Sequence, residues 1–338
     1  MPSPVPPTRV LSKDIYPSVD IGTCSSPLSK HSFGSTLQVP TQRHHGKVAS
    51  RLWSSVIYWK ELHGVQPVGS GGFGSVYKAK YRGETVALKK VKKCTKNKLA
   101  SRQSFWAELN AAHLRHRNVV RVIAATTCMP TDFGDERSIG TIVMEYVGSR
   151  NLQQIIYGCA EEPLPPERWV KHSLDIARGL QFLHSHKIVH LDIKPANVLV
   201  SAEDVCKIAD FGCSVQLDTK REASEVVPMS HAGGTYTHRA PELLKGEGVS
   251  EKSDIFSFGI TMWQMITREQ PYAGDRQHVL YAVVAHNLRP DLEDQDAFRS
   301  QRGGFCRTLL SRCWDAEARS RFSARDLITQ LEQLQAEL

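Results

Sequence analysis

His190-Leu191-Asp192-Ile193-Lys194-Pro195-Ala196-Asn197 is followed, thirteen residues after Asn197, by Asp210-Phe211-Gly212. The two strings bring two groups able to ligate a metal, Asn197 and Asp210, beside Asp192, a carboxylate able to receive a hydroxyl proton. Read singly, each of these residues is an ordinary polar side chain; the ordered set does not assemble by chance. A second Asp-Phe-Gly, Asp132-Phe133-Gly134, precedes the decisive string in a polar stretch between two expected strands, and reads as a loop.

Upstream, Gly69-Ser70-Gly71-Gly72-Phe73-Gly74-Ser75-Val76 has the G-x-G-x-x-G-x-V spacing, whose glycines let backbone amides come close to phosphates. Alone it is a weak signal, because plain glycine-rich hairpins look the same. A Rossmann fingerprint needs the glycines to open a helix, whereas Val76, Tyr77 and Ala79 continue a strand, so the context predicts a flap over a nucleotide. Val86-Ala87-Leu88-Lys89 follows as a strand that could carry the Lys89 ammonium to the α and β phosphates. By itself Lys89 belongs equally well to a solvated basic run with Lys90, Lys92 and Lys93. Glu108, in Phe105-Trp106-Ala107-Glu108-Leu109, supplies a carboxylate that could hold Lys89 in place, though an isolated helical glutamate is more often a surface charge.

The chain has 338 residues with 41% hydrophobic and 23% charged positions, which excludes a wholly disordered or fibrous protein. A formal charge of +8 favours anionic partners without choosing among them. The basic residues gather around Lys89 to Lys98 without interleaved aromatic platforms, so no nucleic acid is expected as a partner. Eight cysteines, at 24, 94, 128, 159, 206, 213, 306 and 313, show no CxxC pair and read as free thiols. No apolar stretch approaches a membrane span and Met1-Pro2-Ser3-Pro4 opens no signal peptide, so a cytoplasmic protein without a membrane partner is expected. Residues 1–55 are expected to form a disordered arm, since the first fifty hold seven Pro and nine Ser without hydrophobic period. Ser3-Pro4 and Ser26-Pro27 are candidate phosphorylation sites there, and His44-His45 reads as solvated. Patterning predicts antiparallel strands over 65–91, a helix over 99–115 and strands at 119–125 and 140–147. Helices are expected at 166–185, 252–267, 276–286, 305–312 and 323–338.

These strings resemble the eukaryotic protein kinase family over about residues 60 to 335. The resemblance implies an α+β, two-lobed fold, with a small β-rich N-lobe over about 60–147 and a larger helical C-lobe over about 148–335. It also implies ATP and Mg²⁺ as cofactors. By similarity, Val68, Val76 and Ala87 roof the adenine and Leu199 floors it, while Gly69, Ser70, Gly71, Gly72, Phe73 and Gly74 cover the phosphates. Met144 becomes the gatekeeper, with Glu145 and Val147 offering hinge backbone groups. Lys89 pairs with Glu108; Asn197 and Asp210 hold the metal; Asp192 orients the acceptor hydroxyl, and Lys194 stabilises the transferring phosphoryl. Glu242 and Arg321 would tie the activation segment to the helical lobe, and Asp254 would clamp the catalytic loop. Lys194 together with Thr235, seven residues before Glu242, is similar to the arrangement of serine/threonine kinases, which favours that specificity over tyrosine and leaves dual specificity open. Ala196 and Asn151 stand where basophilic kinases place acids, so no strong selection for basic substrates is expected.

The runs Cys94–Ser101, Gly233–Glu242 and Gln277–Val284 are similar to a germ-cell serine/threonine branch of the family. That likeness implies a MAP kinase kinase kinase, acting as a monomer on MAP kinase kinase during oocyte meiotic maturation. The competing readings are a Raf-like or mixed-lineage kinase kinase kinase and a non-catalytic kinase-fold scaffold. Three departures from the family pattern stand out. Leu191 replaces the Arg that a phosphorylated activation loop would engage, so activity is expected not to depend on phosphorylation between Asp210 and Glu242. Phe322 stands in place of Pro after Arg321 and reads as neutral. Ala112 is small for the stack that bridges the lobes, which suggests that the segment before Gly69 helps position the helix carrying Glu108. Cys213, next to the Asp-Phe-Gly, reads as a small buried hydrophobe.

Overall fold

The computed structural model describes residues 57–71, 74–92, 98–126, 138–158, 164–217, 235–293 and 296–338. The expected arm, with Ser3, Ser26, His44 and His45, lies outside them, as do Gly72, Phe73 and the loop assigned to Asp132-Phe133-Gly134. The β-branched runs around the glycines form β1 (Leu62–Gly71), β2 (Gly74–Tyr81) and β3 (Glu84–Lys92). With β4 (Val122–Thr126) and β5 (Ser138–Glu145) they make one antiparallel sheet of order β1-β2-β3-β5-β4. Strand alternation divides its side chains between two faces. Val86, Leu88, Ala124 and Val143 pack on one face with Ile57, Leu62 and Tyr81. Val91, Val122, Ile142 and Met144 occupy the other with Phe105 of α1 (Lys98–Asn110). Phe105 fits under Gly140, where an added Cβ would lie 2.8 Å from its ring. That close approach keys α1 to the sheet.

Beyond the sheet the chain is mostly helical: α2 (Leu152–Tyr157), α3 (Pro166–Ser185), α4 (Pro241–Lys245), α5 (Glu251–Thr267), α6 (Arg276–Ala285), α7 (Gln301–Cys313) and α8 (Ala324–Ala336). From Ser253 to Ile266 every residue of α5 is buried, so it serves as the central helix of this part. Leu327, Leu331 and Leu334 of α8 recur at helical spacing and sink into the same core as Val170, Leu174 and Ala177 of α3. Each fully buried leucine contributes about 2 kcal/mol of apolar burial.

Short strands then bring the decisive strings together. β8 (Val198–Val200) and β9 (Cys206–Ile208) pair antiparallel with Val198 opposite Ile208, and β6 (Arg150–Asn151) flanks β8. Asn197 immediately precedes β8 and Asp210 follows β9, so both stand at one end of the hairpin, joined by an Ala209 N–H to Asn197 carbonyl bond of 2.9 Å. β7 (Ile188–Val189), which pairs with β10 (Val215–Gln216), delivers His190 and Asp192 to the same end.

Candidate active site

The loop from His190 to Asn197 is held from beneath by Asp254 of α5. Its fully buried carboxylate accepts from the His190 and Leu191 amides, both at 2.8 Å, and from the His184 ring at 2.9 Å. An unpaired carboxylate at this depth would be costly, so the three hydrogen bonds both replace its lost hydration and set the loop's course. Leu191 takes the left-handed conformation with φ 65°. His190 Nε2 lies 3.0 Å from the Ala209 carbonyl, while Nδ1 accepts from the Asp192 amide, a pattern that one neutral tautomer satisfies.

Asp192 is itself closely held. Lys194 Nζ and Asn197 Nδ2 both donate to its Oδ2 at 2.8 Å, and the Thr235 amide donates to Oδ1 at 2.9 Å. Lys194 also reaches Thr235 Oγ1 at 2.6 Å, which links the catalytic loop to the chain entering α4. Because Asn197 turns its nitrogen to Asp192, its amide oxygen is the group left to face a cation.

Lys89 lies between two acids, pairing with Glu108 of α1 and donating to Asp210 Oδ1 at 2.8 Å. Burial works against its charge, but the Glu108 and Asp210 carboxylates outweigh burial and raise its pKa. Burial also pushes Glu108 up, against the pull of Lys89. It opposes ionisation of Asp210 as well, yet the Lys89 ammonium and hydrogen bonds hold that carboxyl down to about 2. Asp210 has φ 66° and accepts from Gly212 N at 3.3 Å. A Cβ on Gly212 would sit 2.4 Å from Ser104 Oγ and 3.2 Å from Asp210 Oδ1, so a larger residue would make those side chains shift. An ionised carboxylate and an amide oxygen side by side are hard oxygen donors, and they fit a divalent metal of the Mg²⁺ type.

Above and below this end of the cleft, Ala87, Met144, Val147, Leu199 and Ala209 pack into one apolar cluster, joining most of the expected adenine residues. Val76 is half-buried opposite Lys89, and Val68 is 45% exposed, an apolar surface available to a bound ring. Gly69 pairs with Val76 and Gly71 with Gly74 along the hairpin, with Ser70 opposite Ser75. Gly74 is obligatory, because a Cβ there would lie 2.0 Å from the Lys90 carbonyl oxygen. The Glu145 amide donates to the Arg121 carbonyl, which leaves the Glu145 carbonyl as the hinge group it can offer. Sequence reading missed the use of the Glu145 side chain. Its oxygens accept from Lys207 at 3.0 Å and the Arg121 amide at 2.8 Å, tying the hinge to β9. The position of Lys207, three residues before Asp210, is the signal that could have pointed there.

The protein kinase domain family matches residues 62–331. The chain is 52% identical to the Xenopus laevis serine/threonine-protein kinase mos over 98% of its own length and 93% of that protein's. It is a protein kinase of the Mos-like serine/threonine group. Against the Sus scrofa proto-oncogene serine/threonine-protein kinase mos it is 51% identical over 100% of both chains. A transforming protein mos of Moloney murine sarcoma virus is 48% identical over 99% of this chain and 90% of its own.

In this Mos-like kinase the departures from the wider family have structural counterparts. The Leu191 side chain packs against the C-lobe core where a cation would face the activation segment. Phe322, expected to be neutral, carries the Arg312 guanidinium 5.3 Å above its ring. Ala112 is packed in the cluster between sheet and α1, but Ile57 and Trp59, upstream of Gly69, pack on the opposite sheet face. Phe105 beneath Gly140 fixes α1 against the sheet, and most of the segment before Gly69 lies outside the described residues. Glu242 and Arg321 form a buried bidentate pair at 2.8 Å, with Ser253 as a further donor to Glu242. Burial pushes the Cys213 thiol up to about 12, in keeping with an inert side chain.

Proposed function

We propose that this Mos-like kinase transfers the γ-phosphoryl group of ATP to serines of a MAP kinase kinase, as a MAP kinase kinase kinase in oocyte meiotic maturation. The single observation that carries the transfer chemistry is the Asp192 carboxylate, fixed by Lys194, Asn197 and the Thr235 amide within the cleft that also holds Lys89 and Asp210. The choice of acceptor and the meiotic setting are supported by the likeness of the three runs at 94–101, 233–242 and 277–284 to the germ-cell branch.

Phosphoryl transfer asks a protein for positioning and charge neutralisation more than for covalent chemistry. When bound, Mg²⁺ supplies neutralisation of charge on the phosphate oxygens, and Asp210 with the Asn197 amide oxygen would hold it. Lys89, fixed by Glu108, presents its ammonium to the phosphates. Asp192 orients the acceptor hydroxyl and takes its proton at a carboxylate oxygen. Lys194, spanning Asp192 and Thr235, places positive charge beside the incoming group.

The test is transfer from labelled ATP to a catalytically dead MAP kinase kinase by this protein and by its Lys89→Arg and Asp210→Asn variants. Serine labelling that falls at least about 100-fold in both variants is the expected result. Folded, ATP-binding protein that labels neither this substrate nor generic acceptors would leave a scaffold.

A further inference from the structure

The 3-10 turn Tyr236–His238 begins directly after Thr235, whose amide and hydroxyl both belong to the Asp192 network. A polypeptide presenting a hydroxyl to Asp192 therefore runs against residues 236–239 on one side of the acceptor. An exposed cation stands on that side. Arg276, the first residue of α6, is exposed and holds its guanidinium 5.7 Å from the Tyr236 ring centroid. Stacking on an aromatic ring fixes the guanidinium while leaving its in-plane N–H groups directed outward.

The carboxylates close by are already engaged. Asp275 caps α6, accepting from the Gln277 and His278 amides at 2.9 and 3.0 Å, and also pairs with the His278 ring. Glu242 is taken by Arg321 and Ser253. Glu247 lies 3.9 Å from Lys245. Among the described residues no carboxylate lies within 4.0 Å of Arg276.

We propose that Tyr236 and Arg276 form an anion-reading subsite beside the phosphoacceptor position, so that this kinase prefers protein substrates with a carboxylate or phosphorylated side chain within a few residues of the acceptor, on one side of it. The inference rests on the reading of Asp192 as the acceptor-orienting group and adds a substrate class to it. A guanidinium can meet a carboxylate or a phosphate with two parallel hydrogen bonds, and phosphate carries the larger charge.

The experiment uses the full chain and a neutral serine peptide in which one Asp, or one phosphoserine, is moved from four residues before to four after the acceptor. The expected result is an increase in kcat/KM of about 3- to 10-fold at one or two adjacent positions on a single side, larger for phosphoserine. Arg276→Ala brings the ratio of acidic to neutral peptide towards one. Arg276→Glu reverses it, so that Lys at that position becomes preferred. Thermal melts establish that both exposed-site variants fold. An acid effect absent at every position, or one that survives both substitutions, overturns the subsite. Anisotropy binding of the same peptides with Ala for the acceptor serine reads the charge preference independently of turnover. Loss of transfer to the neutral peptide with acid-dependent binding retained counts against the phosphotransfer reading alone.

Discussion

His238 sits at the joint between the substrate-side turn and the central helix. Its Nε2 lies 2.7 Å from Gln264 Oε1, its Nδ1 is 3.0 Å from Thr237 Oγ1, and its carbonyl accepts from Ser257 Oγ at 2.7 Å. Burial lowers its pKa from the ordinary 6.5 to about 4, with the Gln264 bond opposing only in part. The native state therefore keeps a neutral ring while the unfolded chain takes up a proton as pH falls below about 6.5, so stability declines from there and levels off near pH 4. The shift corresponds to about 3 kcal/mol across that window. Urea unfolding at pH 7 and pH 5 is expected to show a smaller pH loss for His238→Asn than for the unsubstituted protein. Equal losses would place the acid sensitivity elsewhere. Nothing in the sequence marks His238, because its partner lies 26 residues away and no spacing rule joins them. Glu108 and Asp210 were legible for the opposite reason: fixed strings put them in register with Lys89 across 19 and 121 residues.

Long elements were legible because their periods run for several turns or several strand residues. The helix expected over 166–185 is α3 with the same bounds, and those expected at 252–267 and 276–286 begin or end within one residue of α5 and α6. The helix expected at 305–312 begins earlier, at Gln301, because Ser300 caps it through the Gly303 amide at 3.0 Å. Pairs such as β7 with β10, two residues each, are too short to show alternation, and their pairing is a product of tertiary contact. At this scale Leu191 governs the connection between catalytic loop and activation segment. An Arg here would hold a charged side chain near the segment and reward a phosphate placed on it. Leu191 packs into the C-lobe core instead, while the catalytic loop keeps its course through Asp254. Phosphatase-treated protein and a Thr219→Ala, Ser224→Ala, Ser230→Ala triple variant are each expected to retain kcat/KM within about twofold, since the electrostatic partner of a segment phosphate is lacking at residue 191. A many-fold drop from a single one of these alanines would assign that partner to another cation.

The sheet and the helical part meet along a seam that the order of elements does not announce. Residues 114–121 follow α1 and lead into β4, so by sequence they belong to the N-lobe, yet Asn118 and Val120 are hydrogen-bonded to the other side. Asn118 Nδ2 donates to the Cys206 carbonyl at 3.0 Å, and Ile208 N to the Asn118 carbonyl at 2.9 Å. Val120 N in turn donates to the Ile208 carbonyl at 2.8 Å. His116 stacks on Phe182 of α3 with ring centroids 4.7 Å apart. With Glu145 bound to Lys207, β9 thus holds both the hinge and the loop that follows α1. Gly179 of α3 makes the close approach possible, because a Cβ there would lie 2.8 Å from the Asn118 carbonyl and 2.8 Å from Ile208 Cδ1. Gly179→Ala forces loop and helix apart and is expected to cost about 1–3 kcal/mol, and Asn118→Ala a similar amount by leaving the Cys206 carbonyl without its donor. Since both act on one contact, the double variant should lose less than the sum by at least about 0.5 kcal/mol in a urea-unfolding cycle. Strict additivity would mean that the loop reaches β9 without the support of α3, and that the seam is two separate ties.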